Sequence, residues 1–161
     1  MSAARLACYL EGGCPPGGRH VHPGARDASS PARTIPLTLP GSVFFAGTSR
    51  VWGGGRAFYD PEVPGPTPAR GYLLTREQFE DVHGQEAPVY DRQLELGVLD
   101  GLPMYTFTST HGRSEVALAR PASNYLRTIG DGIAEAHGWD RARIDGYLAG
   151  LAGTAVRVTR G

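Results

Sequence analysis

Apolar and polar positions along the chain alternate in short runs through its first two thirds and recur every three or four residues only near its end. Residues 2–10 are rich in Ala, Leu and Arg and stop at Gly12 and Gly13, which predicts one short helix. Residues 14–31 hold Gly, Pro, His, Arg and Ser without apolar periodicity and read as a long surface loop, of the kind that often borders a site. Strand-like pieces follow at 35–39, at 43–45 after the Pro40-Gly41 turn, at 56–59 and at 71–74. Thr75 with Gln78 three positions on is a capping-box pattern, and Phe79 and Val82 supply an apolar face, so a helix is expected over 76–85. Runs at 93–98 and 102–108 flank Asp100-Gly101, a dipeptide that favours a tight hairpin. Tyr125, Ile129, Ile133 and Ala136, then Ile144, Tyr147, Leu148 and Leu151, predict two closing amphipathic helices. Residues 156–161 read as a final strand or a frayed tail, with the tail drawn from 152. The class is α+β.

Composition sharpens this picture. A chain of 161 residues, 40% hydrophobic, fits one domain with a real core, so the whole chain is read as a single unit. Its 23 glycines and 13 prolines disfavour a helical bundle and suit short strands joined by many turns. Sixteen basic residues, all arginine, balance sixteen acidic ones, and the formal charge of +0 disfavours a nucleic-acid partner. No apolar run is long enough to span a bilayer: residues 34–49 lack charge but contain Pro36 and Pro40. Arg5, Glu11 and an early Gly-Pro cluster break any leader-like run, and Cys8 and Cys14 alone build no disulfide framework, so a cytoplasmic protein is expected.

Candidate chemistry is sparse when read from spacing alone. Cys14, His20 and His22, with His83, His111 or His137, would suit zinc by type, yet their spacings match no paired-ligand pattern and surface histidines are the better reading. Neither cysteine has a nameable base for nucleophilic work. The turn Trp52-Gly53-Gly54-Gly55-Arg56 is Gly-rich and basic, but a phosphate loop needs a lysine and the chain has none; glycines that let backbones approach closely explain it better. Glu86 stands out mildly, because it closes the 76–85 helix where the macrodipole disfavours a carboxylate.

Taken together, several segments resemble the gamma-glutamylcyclotransferase-like family. The run from Phe44 through Gly47, Ser49, Trp52, Gly53, Gly54, Gly55 and Ala57 is similar to that family's strand, Ser-x-x-Trp-x-Gly-Gly turn and next strand. Residues 69–79 look like its following strand and helix, and Gly84-Gln85-Glu86 falls where its catalytic glutamate ends that helix. Pro121-Ala122-Ser123-Asn124-Tyr125-Leu126 resembles the Pro-Ser-x-x-Tyr start of its late helix. The resemblance implies a small mixed β-barrel of short strands with flanking helices. It further implies a small-molecule gamma-glutamyl substrate, no cofactor, Glu86 as general acid and base, and Trp52 and Tyr125 as pocket walls. Met1 corresponds to the methionine of a Tyr-Gly-Ser-Asn-Met loop whose backbone holds the substrate, so the first strand and most of that loop are expected to be missing, leaving a weak or inactive chain. A short interval between Glu86 and Tyr90, and Phe107 where some relatives carry tyrosine, also depart from the family pattern.

In such an enzyme the substrate's own α-amine attacks its side-chain carbonyl, giving 5-oxoproline and a free amine; ring closure gains from proximity, and one carboxylate can move the proton. Two other readings stay open on the same fold: an amide hydrolase or deprotecting enzyme, and a non-catalytic small-molecule binding module.

Overall fold

The computed structural model describes residues 1–154. Residues 156–161, read as a strand or a tail, lie outside the described residues. The chain order is α1 (Ala3–Glu11), β1 (Arg33–Pro40), β2 (Ser42–Ala46), β3 (Arg56–Asp60), β4 (Pro66–Leu73), α2 (Arg76–Gly84), β5 (Arg92–Leu99), β6 (Leu102–Thr108), α3 (Ser123–His137) and α4 (Arg141–Ala149). The α+β reading therefore holds, and no described helix is long and apolar enough to cross a membrane.

Local chemistry explains the boundaries. Ser2 caps α1 by accepting from the Arg5 amide at 3.3 Å. At α2 the capping box is complete: Thr75 Oγ1 accepts from the Gln78 amide and Gln78 Oε1 accepts from the Thr75 amide, each at 3.1 Å. Asp100 and Gly101 both take positive φ, 51° and 78°, as a two-residue hairpin turn with the sheet's own twist requires. Gly138 ends α3 in the left-handed region and Asp140 caps α4. The 14–31 segment remains without regular elements, pinned by a bridge between Gly13 and His22.

The expected closed barrel is not seen; among the described residues the strands form three separate antiparallel pairs, β1 with β4, β2 with β3, and β5 with β6. Proline chemistry accounts for the first break. Pro36 and Pro40 in β1 face a partner carrying Pro66 and Pro68, and prolines have no amide to offer a third strand. A bulge between Glu95 and Gly97 interrupts β5. Where β3 and β6 approach, the Thr108 hydroxyl stands in for a ladder, accepting from the Tyr59 amide at 3.1 Å and donating to its carbonyl at 2.7 Å. The Phe45 amide donates to the Ala152 carbonyl at 2.8 Å and Ala152 bridges Phe44 in parallel, so the chain at 152 is held against β2.

Three apolar clusters make up the interior. Phe45, Trp52, Tyr125, Ile133, Ile144, Leu148 and Leu151 join β2 to α3 and α4. Leu6, Tyr9, Leu10 and Val82 join α1 to α2, while Phe44, Ala46 and Phe58 pack beneath Tyr90. Aromatic residues of the first two clusters, Trp52, Tyr125 and Tyr9, converge on one largely covered charged pair.

Candidate functional site

That pair is Arg5 and Glu86. Glu86 follows α2, its amide still donating to the His83 carbonyl at 3.0 Å, so the last helical turn aims its side chain. The carboxylate at a helix C-terminus, unfavourable against the macrodipole, is offset here by a cation. Arg5 Nη2 lies 3.9 Å from Glu86 Oε1, and the two side chains are only 14% and 12% exposed. Between them stands Tyr9, whose hydroxyl donates to Glu86 Oε1 at 2.6 Å and accepts from Arg5 Nη2 at 3.2 Å. Arg5 and Tyr9 are one turn apart on α1, which puts both on the face turned toward α2. Burial pushes the Tyr9 phenol well above its ordinary range, so its hydroxyl stays a donor to the carboxylate.

Aromatic walls complete the arrangement. The Arg5 guanidinium carbon lies 5.8 Å from the Tyr9 ring centroid and 5.7 Å from those of Trp52 and Tyr125, within cation–π range. Trp52 and Tyr125 stack at 5.2 Å and 14°. Their meeting depends on the glycine turn. Ser49 Oγ accepts from the Val51 and Trp52 amides, Gly53 and Gly54 adopt φ of 75° and 64°, and the Gly55 amide donates to the Arg120 carbonyl at 2.8 Å. A Cβ on Gly54 would sit 2.5 Å from the Arg120 carbonyl oxygen, so only glycine lets this turn press against the segment that leads into α3 and Tyr125.

The residues expected from the sequence are thus partly united. Glu86, Trp52 and Tyr125 surround Arg5, directly or through Tyr9. Met1 is held by a different group: its carbonyl accepts from the Tyr72 hydroxyl at 2.9 Å, and the residue is 41% exposed. The sequence gives no site role to Arg5, Tyr9, Gln85 or Tyr90, and it offers His22 only as a zinc-type ligand better read as a surface histidine, whereas the residue is buried. The Arg5/Tyr9 spacing on an amphipathic helix was the available signal for two of them. Gln85 Nε2 donates to the Tyr9 carbonyl at 2.9 Å and the Gly24 carbonyl at 3.2 Å, locking α1 and the 14–31 segment beside Glu86. Tyr90 is anchored on the Ala57 carbonyl at 3.0 Å, and the His83 ring bonds the Tyr90 carbonyl at 2.8 Å, so the short interval after Glu86 is firmly placed. His22 is buried with its ring 4.0 Å from that of Tyr9, and burial, with help from His20 and Arg5, pushes its pKa down to about 4.

The site is covered. Tyr9, Trp52, Tyr125 and His22 are all buried, and two surface depressions lie elsewhere. One, of about 560 Å³, is lined by Asp60, Glu62, Arg113 and Glu115; the other, of about 350 Å³, lies between α3 and α4. No group of three His, Cys, Asp or Glu among the described residues is arranged to hold a metal ion, and Cys8 and Cys14 are free thiols. Compared with known proteins, the chain matches no protein family, no curated protein and no solved structure.

Proposed function

We propose that the protein is a gamma-glutamylcyclotransferase-like enzyme, built on an open variant of that family's fold, that releases 5-oxoproline from a gamma-glutamyl amide. The observation that carries the reading is Glu86: a carboxylate 12% exposed, bonded to a tyrosine hydroxyl at 2.6 Å and paired with an arginine that lies against the Trp52 and Tyr125 rings. In this reaction Glu86 takes a proton from the substrate's α-ammonium. The freed amine attacks the side-chain carbonyl, the new ring bond forms, the amide C–N bond breaks, and the proton returns to the departing amine. No water is consumed. Tyr9 and Arg5 hold the carboxylate in place, and Trp52 and Tyr125 flank the substrate. A cytoplasmic setting belongs to the same proposal.

The test is 5-oxoproline release from a panel of gamma-glutamyl amino acids and amines by the wild type and by Glu86→Gln. Loss of at least about a hundredfold in Glu86→Gln, the usual scale for removing a general acid–base, is the expected outcome. Glutamate as product would instead assign an amide hydrolase. The same test decides the second reading, a small-molecule binding module. A binder keeps its ligand affinity in Glu86→Gln and shows no turnover in either form.

A further inference from the structure

The Arg5–Glu86 site is covered and neither depression described above opens onto it, so a ligand reaches Glu86 only if a covering segment moves. Residues 13–23 lie over two of its walls. The His22 ring sits 4.0 Å from that of Tyr9, and a Cβ at Gly17 would stand 3.9 Å from Trp52 Cζ3. The segment is closed on itself: the Gly13 amide donates to the His22 carbonyl at 3.0 Å, and the His22 amide to the Gly13 carbonyl at 2.8 Å. Just outside that pair, Gly12 and Gly24 take φ of 86° and 93°. A Cβ on Gly24 would be 3.1 Å from the Gly12 amide nitrogen, so the two ends leave the body of the protein side by side. A loop closed at its neck and carried on two adjacent glycines has the geometry of a hinged flap.

We propose that residues 13–23 are a flap, hinged at Gly12 and Gly24, that swings open to admit a ligand to Glu86 and closes over it. The inference rests on the function proposed above in taking Glu86 as the working group, and it adds the movement that controls access. Little ties the flap down. Among the described residues, two hydrogen bonds join it to the rest of the chain: the Arg19 amide donates to the Val51 carbonyl at 2.9 Å, and Asn124 Nδ2 donates to the Gly17 carbonyl at 2.8 Å. Each partner immediately precedes a wall of the site, Val51 before Trp52 and Asn124 before Tyr125. The rest of the hold is burial, of Pro15 and His22. His22 makes a poor plug. Neither ring nitrogen completes a hydrogen bond, although Gln85 lies beside it with its own Oε1 unbonded, so moving the ring into water regains bonds that the closed state lacks.

The test reads opening without a ligand, and turnover separately. Trp139→Phe leaves Trp52 as the sole tryptophan, and deuterium exchange of its indole N–H reports exposure of the site. The Phe45 amide, buried and bonded to the Ala152 carbonyl, reports unfolding. A flap predicts that Trp52 is less protected than Phe45. Gly17→Cys with Asn124→Cys, on a Cys8→Ser and Cys14→Ser background, puts the two Cβ atoms 3.8 Å apart, within the usual disulfide range. Oxidation should then slow Trp52 exchange at least about tenfold relative to Phe45 and stop 5-oxoproline release, and dithiothreitol should restore both. Asn124→Asp serves if the cysteine pair does not fold. It keeps the Oδ1 that accepts from the Tyr125 amide and loses the donor to Gly17, so Trp52 exchange should quicken about two- to tenfold, the factor for one hydrogen bond. Equal protection of Trp52 and Phe45, or Trp52 exchange unchanged by the cross-link, would overturn the proposal. Turnover separates it from the enzyme reading. Opening that the cross-link suppresses, in a chain that releases no 5-oxoproline, keeps the flap and removes the cyclotransferase. Release at full rate with the flap cross-linked keeps the cyclotransferase and removes the flap.

Discussion

Tyr9→Phe isolates the hydroxyl that joins the two charges of the site. The ring is retained, so packing against Leu6, Leu10 and Val82 and the tilted contact with His22 survive, and only one oxygen is lost. That oxygen donates to Glu86 at 2.6 Å and accepts from Arg5 at 3.2 Å. Hydrogen bonds to charged groups contribute about 1.5–3 kcal/mol each, and simple addition would put the loss at the upper end of twice that range. The geometry argues for less. Arg5 and Glu86 are already 3.9 Å apart, a separation at which opposite charges attract by about 4 kcal/mol at an effective dielectric near 20, so Arg5 can close on the carboxylate once the hydroxyl is gone. The expected loss is therefore about 1.5–3 kcal/mol, read as a lower urea midpoint at unchanged slope. A double-mutant cycle with Glu86→Gln should give a coupling of about 1–2 kcal/mol, since Tyr9→Phe matters less when the acceptor is already neutral. A single-mutant loss under about 0.5 kcal/mol, or a coupling near zero, would mean that the tyrosine–carboxylate bond is not made in solution, and the reading of Glu86 as a held carboxylate would fall.

Two further outcomes are expected. His22, held neutral with its pKa pushed down from 6.5 to about 4, binds a proton more readily in the unfolded chain than in the folded one. Its contribution is therefore fully present above pH 6.5 and is lost as pH falls toward 4; with solvent screening at the edge of its loop the loss is about 1–2 kcal/mol, and thermal melts of His22→Phe across that window should lack this part of the slope. Gly54→Ala places a Cβ 2.5 Å from the Arg120 carbonyl oxygen at a φ of 64°, and should lower stability by about 2 kcal/mol or more and disturb the near-ultraviolet circular dichroism of the Trp52–Tyr125 stack; an unaffected spectrum would show that the turn does not place the tryptophan.

Local rules carried much of the fold. The capping box at Thr75 and Gln78, the Asp100-Gly101 hairpin and the apolar spacing of α3 and α4 each depend on residues a few positions apart, and each element is found within a residue or two of its expected bounds. The closed barrel did not follow, because whether a strand gains a second neighbour depends on amides far apart in sequence. Pro36 and Pro68 are individually ordinary edge residues; only the β1–β4 register, which faces Pro36 with Arg70 and Thr38 with Pro68, shows how few donors that ribbon retains.

The site divides along the same line. Glu86 stands out only mildly as a carboxylate in conflict with its own helix, and it is the family resemblance of Gly84-Gln85-Glu86 that singles it out. What resolves the conflict lies 81 positions earlier in the chain for Arg5, 77 for Tyr9, and on two further segments for Trp52 and Tyr125. None of these four breaks a local rule: an arginine and a tyrosine one turn apart on a short helix are ordinary, and so is an aromatic after a serine turn. For Arg5 and Tyr9 the meaning appears only when α1 and α2 pack and Gln85, the residue beside Glu86, bonds the Tyr9 carbonyl.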